Sequence, residues 1–242
     1  AVMVIDAAKG VEAQTIKLFK VCTLRHIPIF TFVNKMDREA RDPFELMENI
    51  EEILGIKTYP MNWPISCGKD FKGVYDRNAK RVLAFESDGR ANGVKMVDEI
   101  EAELGDAALD ELIGTANHEK LAEDIELLDG AAEEFDLEAV QHGELSPVFF
   151  GSALTNFGVE PFLKEFLRLT PAPLPRKDAA SGELVDPCSE QFSGFIFKIQ
   201  ANMNKNHRDR IAFLRICSGK FERGMEAFHV QEGKNIKLAT GT

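Results

Sequence analysis

Two short, almost wholly apolar runs, "AVMVID" from residue 1 and "IFTFV" from residue 29, flank a single amphipathic stretch, and that arrangement restricts the fold more than any other feature. Strands lacking the in-out alternation are apolar on both faces, so they belong inside a sheet covered on both sides. Between them, "VEAQTIKLFKVCTLRH" sets Ile16, Phe19 and Thr23 on one helical stripe beside Leu18 and Cys22, and Pro28 breaks the period before the second run. Strand, helix, strand predicts an α/β fold with a parallel sheet, whose ligands sit at the carboxyl ends of the strands.

The pattern continues. "RDPFELMENIEEILG" supplies Asp42 as a helix N-cap with Glu45 three residues on, Pro43 in the first turn, an apolar stripe through Leu46, Ile50 and Ile53, and Gly55 as terminator. Much later, "SPVFFGSALTNFGVEPFLKEFLRL" predicts a strand over Pro147 to Phe150, a polar turn over Gly151 to Leu154, and a helix with Val159, Leu163, Phe166 and Leu167 along one side.

The two strand ends carry the polar groups worth weighing. "NKMD" closes the second strand with Asn34, Lys35 and Asp37. Guanine offers N1–H and its 2-amino group as adjacent donors, and one carboxylate accepts both, whereas adenine presents a lone pair at N1 and would set acceptor against acceptor. Asp37 is therefore a candidate for choosing the base. Lys35 can lay its aliphatic stem along a base plane, and Asn34 can tie its loop to neighbouring backbone. The same residues are also ordinary turn formers. "GSAL" provides a second loop, with the hydroxyl of Ser152 and the backbone N–H groups of Ala153 and Leu154.

Composition excludes several other classes. The chain is 44% hydrophobic and 29% charged, a normal mixture for a protein with a proper core. It has no apolar run long enough to span a bilayer and no secretory signal pattern, which predicts a cytoplasmic protein without membrane contact. Cys22, Cys67, Cys188 and Cys217 are scattered singly, and His26, His118, His142, His207 and His229 are equally isolated, so neither a metal centre nor covalent catalysis is indicated. The net charge of −11 is unevenly placed: residues 98–144 hold seventeen acidic side chains against one lysine, leaving +5 on the rest. That segment reads first as a solvated helical face.

Taken together, "NKMD", "GSAL" after a later strand, and "VIDAAKGVEAQT" resemble the guanine-recognition elements and the strand that follows the switch regions in the translational GTPases. The resemblance implies that Asp37 pairs with guanine N1 and N2, that Ser152 steadies Asp37, and that the Ala153 N–H faces the base's O6. It makes GTP and GDP the expected ligands, with Mg²⁺ held by residues outside these 242. Asp37 and Gly151 are separated by 113 residues, far more than a helix and a strand require, so an insertion is expected over about residues 57–145. "YPMNWPISCGKDFKGVYDRNAKRVLAFES" supplies strand-like pieces for it, and the acidic segment two or three helices.

"LTPAPLPRKDAASGELVDPCSE" is a proline-rich linker. After it the period becomes two: "FSGFIFKIQ" places Phe195, Phe197 and Ile199 on one face, and "RIAFLRICSGK" alternates similarly. The expected organisation is the C-terminal part of a GTP-binding domain over 1–172, a linker over 173–190, and the first strands of the family's antiparallel β-barrel domain over 191–242. Lys198, Lys205, His207, Arg208, Arg210, Arg215, Lys220 and Arg223 gather positive charge there, diluted by Asp209 and Glu222, and suit either an RNA-facing patch or an ordinary barrel surface.

No G-x-x-x-x-G-K-[ST] loop occurs, the nearest pair being Gly68 and Lys69, so no catalytic residue is expected among these and the chain reads as a fragment. Similarity to the translation-termination branch of the family implies ribosomal RNA and proteins and codon-recognising release factors as partners. The alternatives are an elongation factor G-like translocase and a non-catalytic nucleotide-dependent ribosome-binding protein.

Overall fold

The computed structural model describes residues 1–84, 100–131, 134–178, 181–201 and 210–239, and divides into two compact units, Ala1–Pro171 and Ala172–Thr242. In the first, β1 (Val2–Asp6), α1 (Ala13–Thr23), β2 (Phe30–Asn34) and α2 (Pro43–Leu54) follow in the expected order. Asp42 caps α2 by accepting from the Phe44 and Glu45 N–H groups, and Gly55 closes it at φ 69°, a left-handed conformation that costs glycine little. Leu46 and Ile50 are fully buried; Ile53 is 43% exposed, at the edge of the stripe.

Five strands in succession then depart from the simple alternation. β3 (Lys57–Pro60) precedes β4 (Asn62–Ile65), a single 3₁₀ turn (Gly68–Asp70), β5 (Gly73–Asp76), β6 (Arg81–Ala84) and β7 (Ile100–Glu103). Helices α3 (Ala108–Ile113), α4 (Thr115–Ala131) and α5 (Leu137–His142) lead into β8 (Leu145–Phe150) and α6 (Val159–Leu169). The parallel sheet runs in the order β1-β2-β8-β3, with Asp6 in register with Asn34 and Val33 with Phe150. Because β3 pairs in parallel with β8, residues 57–60 belong to this sheet, and the interruption begins at Met61 and not at 57. A separate antiparallel sheet, β4-β5-β6-β7, and helices α3 to α5 make up the interruption. The acidic segment also contributes strand β7, which its composition conceals. The expected strand-like residues 85–87, and Asp98 and Glu99, lie outside the described residues.

Helix α6 differs from expectation. Its buried residues are Phe162 and Leu169, with Val159 and Phe166 packed beside them, while Leu163 and Leu167 are 50% and 77% exposed. The face is chosen by aromatic partners: Phe162 tilts on Phe32 and meets Phe149 edge-on, and Phe166 meets Phe30 edge-on, at centroid distances of 5.0 to 5.2 Å. The antiparallel sheet is locked down by Trp63, fully buried, whose indole N–H donates to Asp124 Oδ2 at 3.0 Å and whose ring packs on Phe44 and Phe150. Arg77 lies over the Tyr59 ring, donates to the Pro60 carbonyl, and reaches Asp129 of α4 at 2.8 Å.

The second unit contains β9 (Arg176–Lys177), β10 (Leu184–Val185), β11 (Ser193–Ala201), β12 (Arg210–Ser218), β13 (Glu226–His229) and β14 (Lys234–Lys237), all paired antiparallel. Phe195, Phe197 and Ile199 are 46% to 65% exposed, and a register shift falls between Ile196 and Lys198. Lys198 sits over the Phe213 ring and Lys220 lies 3.8 Å from Glu222. Lys205, His207, Arg208 and Asp209 are outside the described residues. No helix among the described residues is long and apolar enough to cross a membrane.

Candidate functional site

Parallel pairing brings the ends of β2 and β8 together at one edge of the sheet, and four hydrogen bonds stitch the loops that follow. Gly151 N–H donates to the Val33 carbonyl at 3.0 Å, and Met36 N–H donates to the Gly151 carbonyl at 3.1 Å. Ala153 N–H donates to Asn34 Oδ1 at 2.9 Å, and the Ser152 hydroxyl donates to Asp37 Oδ1 at 2.5 Å. Gly151 is required by this closeness. A Cβ there would lie 2.4 Å from the Phe157 carbonyl oxygen and 2.9 Å from the Phe32 ring.

Each polar residue has a definable task. Ser152 is fully buried, so its hydroxyl is held in place and fixes the Asp37 carboxylate, whose side chain is 18% exposed. A carboxylate offers about four lone-pair sites, and Ser152 occupies one, which leaves acceptor capacity at the rim. Arg38 Nε stands 3.9 Å from Asp37 Oδ2, too far for a hydrogen bond. Asn34 Oδ1 accepts twice, from Lys35 N–H at 2.8 Å and from Ala153 N–H, so it joins the two loops.

Two findings go beyond the motif reading. Ala153 N–H is committed to Asn34 and is not the free donor toward O6 that the family resemblance implied; Leu154, the next residue, is 74% exposed. Lys35 adopts φ 74°, and its ammonium donates to Asp6 Oδ2 at 2.7 Å. Asp6 ends β1 beside Asn34, also accepts from Ala8 N–H, and has a side chain only 14% exposed. The Lys35 ammonium holds the Asp6 carboxyl below its ordinary 3.8, and the Ala8 N–H helps. The sequence signal for Asp6 was a polar residue at the end of each of two neighbouring strands; the motif drew attention only to the second.

The Gly68-Lys69 pair does not resemble a phosphate cradle, since it forms a 3₁₀ turn whose Gly68 N–H is engaged by the Met36 carbonyl. All four cysteines are free thiols, and no group of three or more His, Cys, Asp or Glu side chains among the described residues could hold a metal ion.

Two protein-family models match the chain: the elongation factor Tu GTP binding domain over residues 1–172, and elongation factor G domain 2 over residues 191–241. Among curated relatives, "Peptide chain release factor 3" of Symbiobacterium thermophilum is 56% identical over 239 residues, covering 99% of this chain and 44% of the relative. The protein of the same name from Ligilactobacillus salivarius is 52% identical over 243 residues, covering 100% and 45%, and that of Gloeobacter violaceus is 50% identical over 239 residues, covering 99% and 44%. The chain thus spans less than half the length of these relatives.

Proposed function

The chain belongs to the elongation factor Tu GTP binding domain family, and from that premise we propose that its Asn34, Lys35, Asp37, Ser152, Ala153 and Leu154 grip the guanine of GTP and GDP. The observation that carries this reading is the buried Ser152 hydroxyl bonded to Asp37 Oδ1, an aimed carboxylate at the edge where parallel strands end. Asp37 accepts guanine N1–H and the 2-amino group. The Asn34 side-chain amide, whose oxygen is already occupied, keeps its N–H₂ for an acceptor such as the purine N7, which positions either purine without choosing between them. Lys35, anchored on Asp6, carries its methylene stem toward the base plane. O6 receives the Ala153 N–H only in exchange for its bond to Asn34, and the neighbouring Leu154 N–H is the second donor of that loop.

In the longer protein we assign GTP hydrolysis and a role in translation termination, in which GTP binding and hydrolysis promote dissociation of a codon-recognising release factor from the ribosome. The release factor 3 name of relatives 50–56% identical over nearly all of this chain supports this. It also supports the cytoplasm as the place of action. Magnesium serves the phosphates in such chemistry, and the part proposed for this chain is recognition of the base.

Nucleotide competition with the full-length protein carrying this sequence tests the assignment. Asp37→Asn exchanges an acceptor for an amide that can donate to xanthine's 2-oxo group, so preference moves from GTP to XTP, while unchanged guanine preference overturns it. Faster release-factor departure from termination complexes, against faster movement of tRNA and messenger, separates the termination role from translocation.

A further inference from the structure

We infer that the segment Met61–Phe71, which opens the insertion, positions both base-recognition loops, with Asn62 and Phe71 as the positioning residues. The inference rests on the guanine reading above and extends it to residues no motif marks. Asn62 is 3% exposed and is used on both sides by one residue: its Nδ2 donates to the Phe150 carbonyl at 3.1 Å, and the Phe150 N–H donates to its Oδ1 at 2.7 Å. An asparagine side chain thereby replaces the neighbouring strand that Phe150 lacks on that side, in the last residue before Gly151. Met61 N–H continues the ladder to the Val148 carbonyl at 2.8 Å.

The same segment then crosses to the other loop. Gly68, at φ 67°, directs its N–H to the carbonyl of Met36 at 2.8 Å, inside the "NKMD" turn and one residue before Asp37. Met36 is 1% exposed, so this carbonyl is cut off from water and depends on its protein donor. Phe71 packs on Phe157 at 6.0 Å between ring centroids, and Phe157 exchanges two 2.9 Å backbone bonds with Ser152. The Gly68 and Phe71 contacts land on residues adjacent to, or bonded to, one of the two partners in the Ser152–Asp37 pair, and Asn62 holds Phe150 two residues before Ser152. A merely decorative insertion would have no need of buried polar contacts at both loops.

Guanosine and inosine nucleotides differ only in the 2-amino group, so their affinity ratio reads the aim of the Asp37 carboxylate and is insensitive to overall folding. With the full-length protein carrying this sequence, GDP, IDP and ADP dissociation constants are measured for wild type, Asn62→Ala, Phe71→Leu and Phe71→Tyr. The GDP-over-IDP ratio falls by about 10- to 100-fold in Asn62→Ala and Phe71→Leu, the scale expected when a supporting change misplaces a site by about 1 Å. Phe71→Tyr, which keeps the ring, restores it. A ratio within about twofold of wild type in a folded variant overturns the brace, and if Asn62→Ala fails to fold, Phe71→Leu decides. A wild type that does not distinguish GDP from IDP and ADP would instead overturn the guanine reading itself.

Discussion

Among the described residues the first unit contains two four-stranded sheets, and they use their polar residues in opposite ways. In the parallel sheet every strand ends at the same edge, so loops distant in sequence converge: Asp37 and Ser152 meet across 115 residues. In the antiparallel sheet successive strands end at opposite edges, so neighbouring strand ends do not converge on one rim. There the buried polar groups of Asn62, Trp63 and Arg77 anchor one element to another. Topology thus separates polar groups gathered at one rim from those that fasten the fold, since ligands of open α/β sheets sit where parallel strands end.

This contrast can be broken by mutation. Asp37→Asn should have the largest effect, lowering the preference for guanine nucleotide by about 10⁴-fold, on the order of 5 to 6 kcal/mol. Thermal unfolding in the absence of nucleotide should barely move, because the group lies at the rim; a large drop in Tm would place Asp37 with the anchors. Trp63→Ala should do the reverse, removing about 3 to 5 kcal/mol of stability in denaturant titration through the lost ring packing and the orphaned Asp124 contact. Ser152→Ala comes next. It leaves the Asp37 carboxylate without its fixed donor, and guanine affinity should fall by about 10- to 100-fold, equivalent to about 1 to 3 kcal/mol, by equilibrium nucleotide binding.

The smallest effect belongs to His118, in the helical part of the insertion. Its Nε2 lies 2.7 Å from the Leu104 carbonyl and its Nδ1 3.0 Å from Asp110 Oδ1, so both ring nitrogens face acceptors and the charged form is favoured. The Leu104 carbonyl, then Asp110, raise its pKa above the ordinary 6.5. A raised folded-state value means the contribution is complete below pH 6.5 and is lost as pH climbs through the folded value. His118→Gln should therefore flatten that part of the Tm-against-pH profile, with a shift of a few degrees at most. A variant profile parallel to wild type would show that the pair is screened by solvent.

Much of the parallel sheet was legible because its signals are local. Asp42, Pro43 and Gly55 mark the ends of α2 by their own hydrogen bonds and dihedrals, and the apolar runs of β1, β2 and β8 require no partner to be recognised. The face of α6 was not legible, since a helical period permits two adjacent stripes and the choice fell to Phe30, Phe32 and Phe149 on other strands. The candidate site divides in the same manner. Asp37 follows from donor and acceptor matching and the part of Ser152 from the family resemblance, whereas the Asp6 anchor of Lys35 depends on the β1–β2 register, and the engagement of Ala153 by Asn34 depends on the distance between loops. Asn62 and Gly68 were invisible because their roles consist of bonds to backbone groups elsewhere.

The wide separation of Asp37 from Ser152 also has a temporal meaning. At synthesis rates of about 5 to 20 residues per second, the aspartate is polymerised about 6 to 23 seconds before the serine that fixes it. On the guanine reading proposed above, a nascent chain holds the acceptor without its clamp during that interval, and its choice of purine waits for Ser152. On that reading, any guanine-selective help that bound nucleotide gives to folding follows the completion of β8.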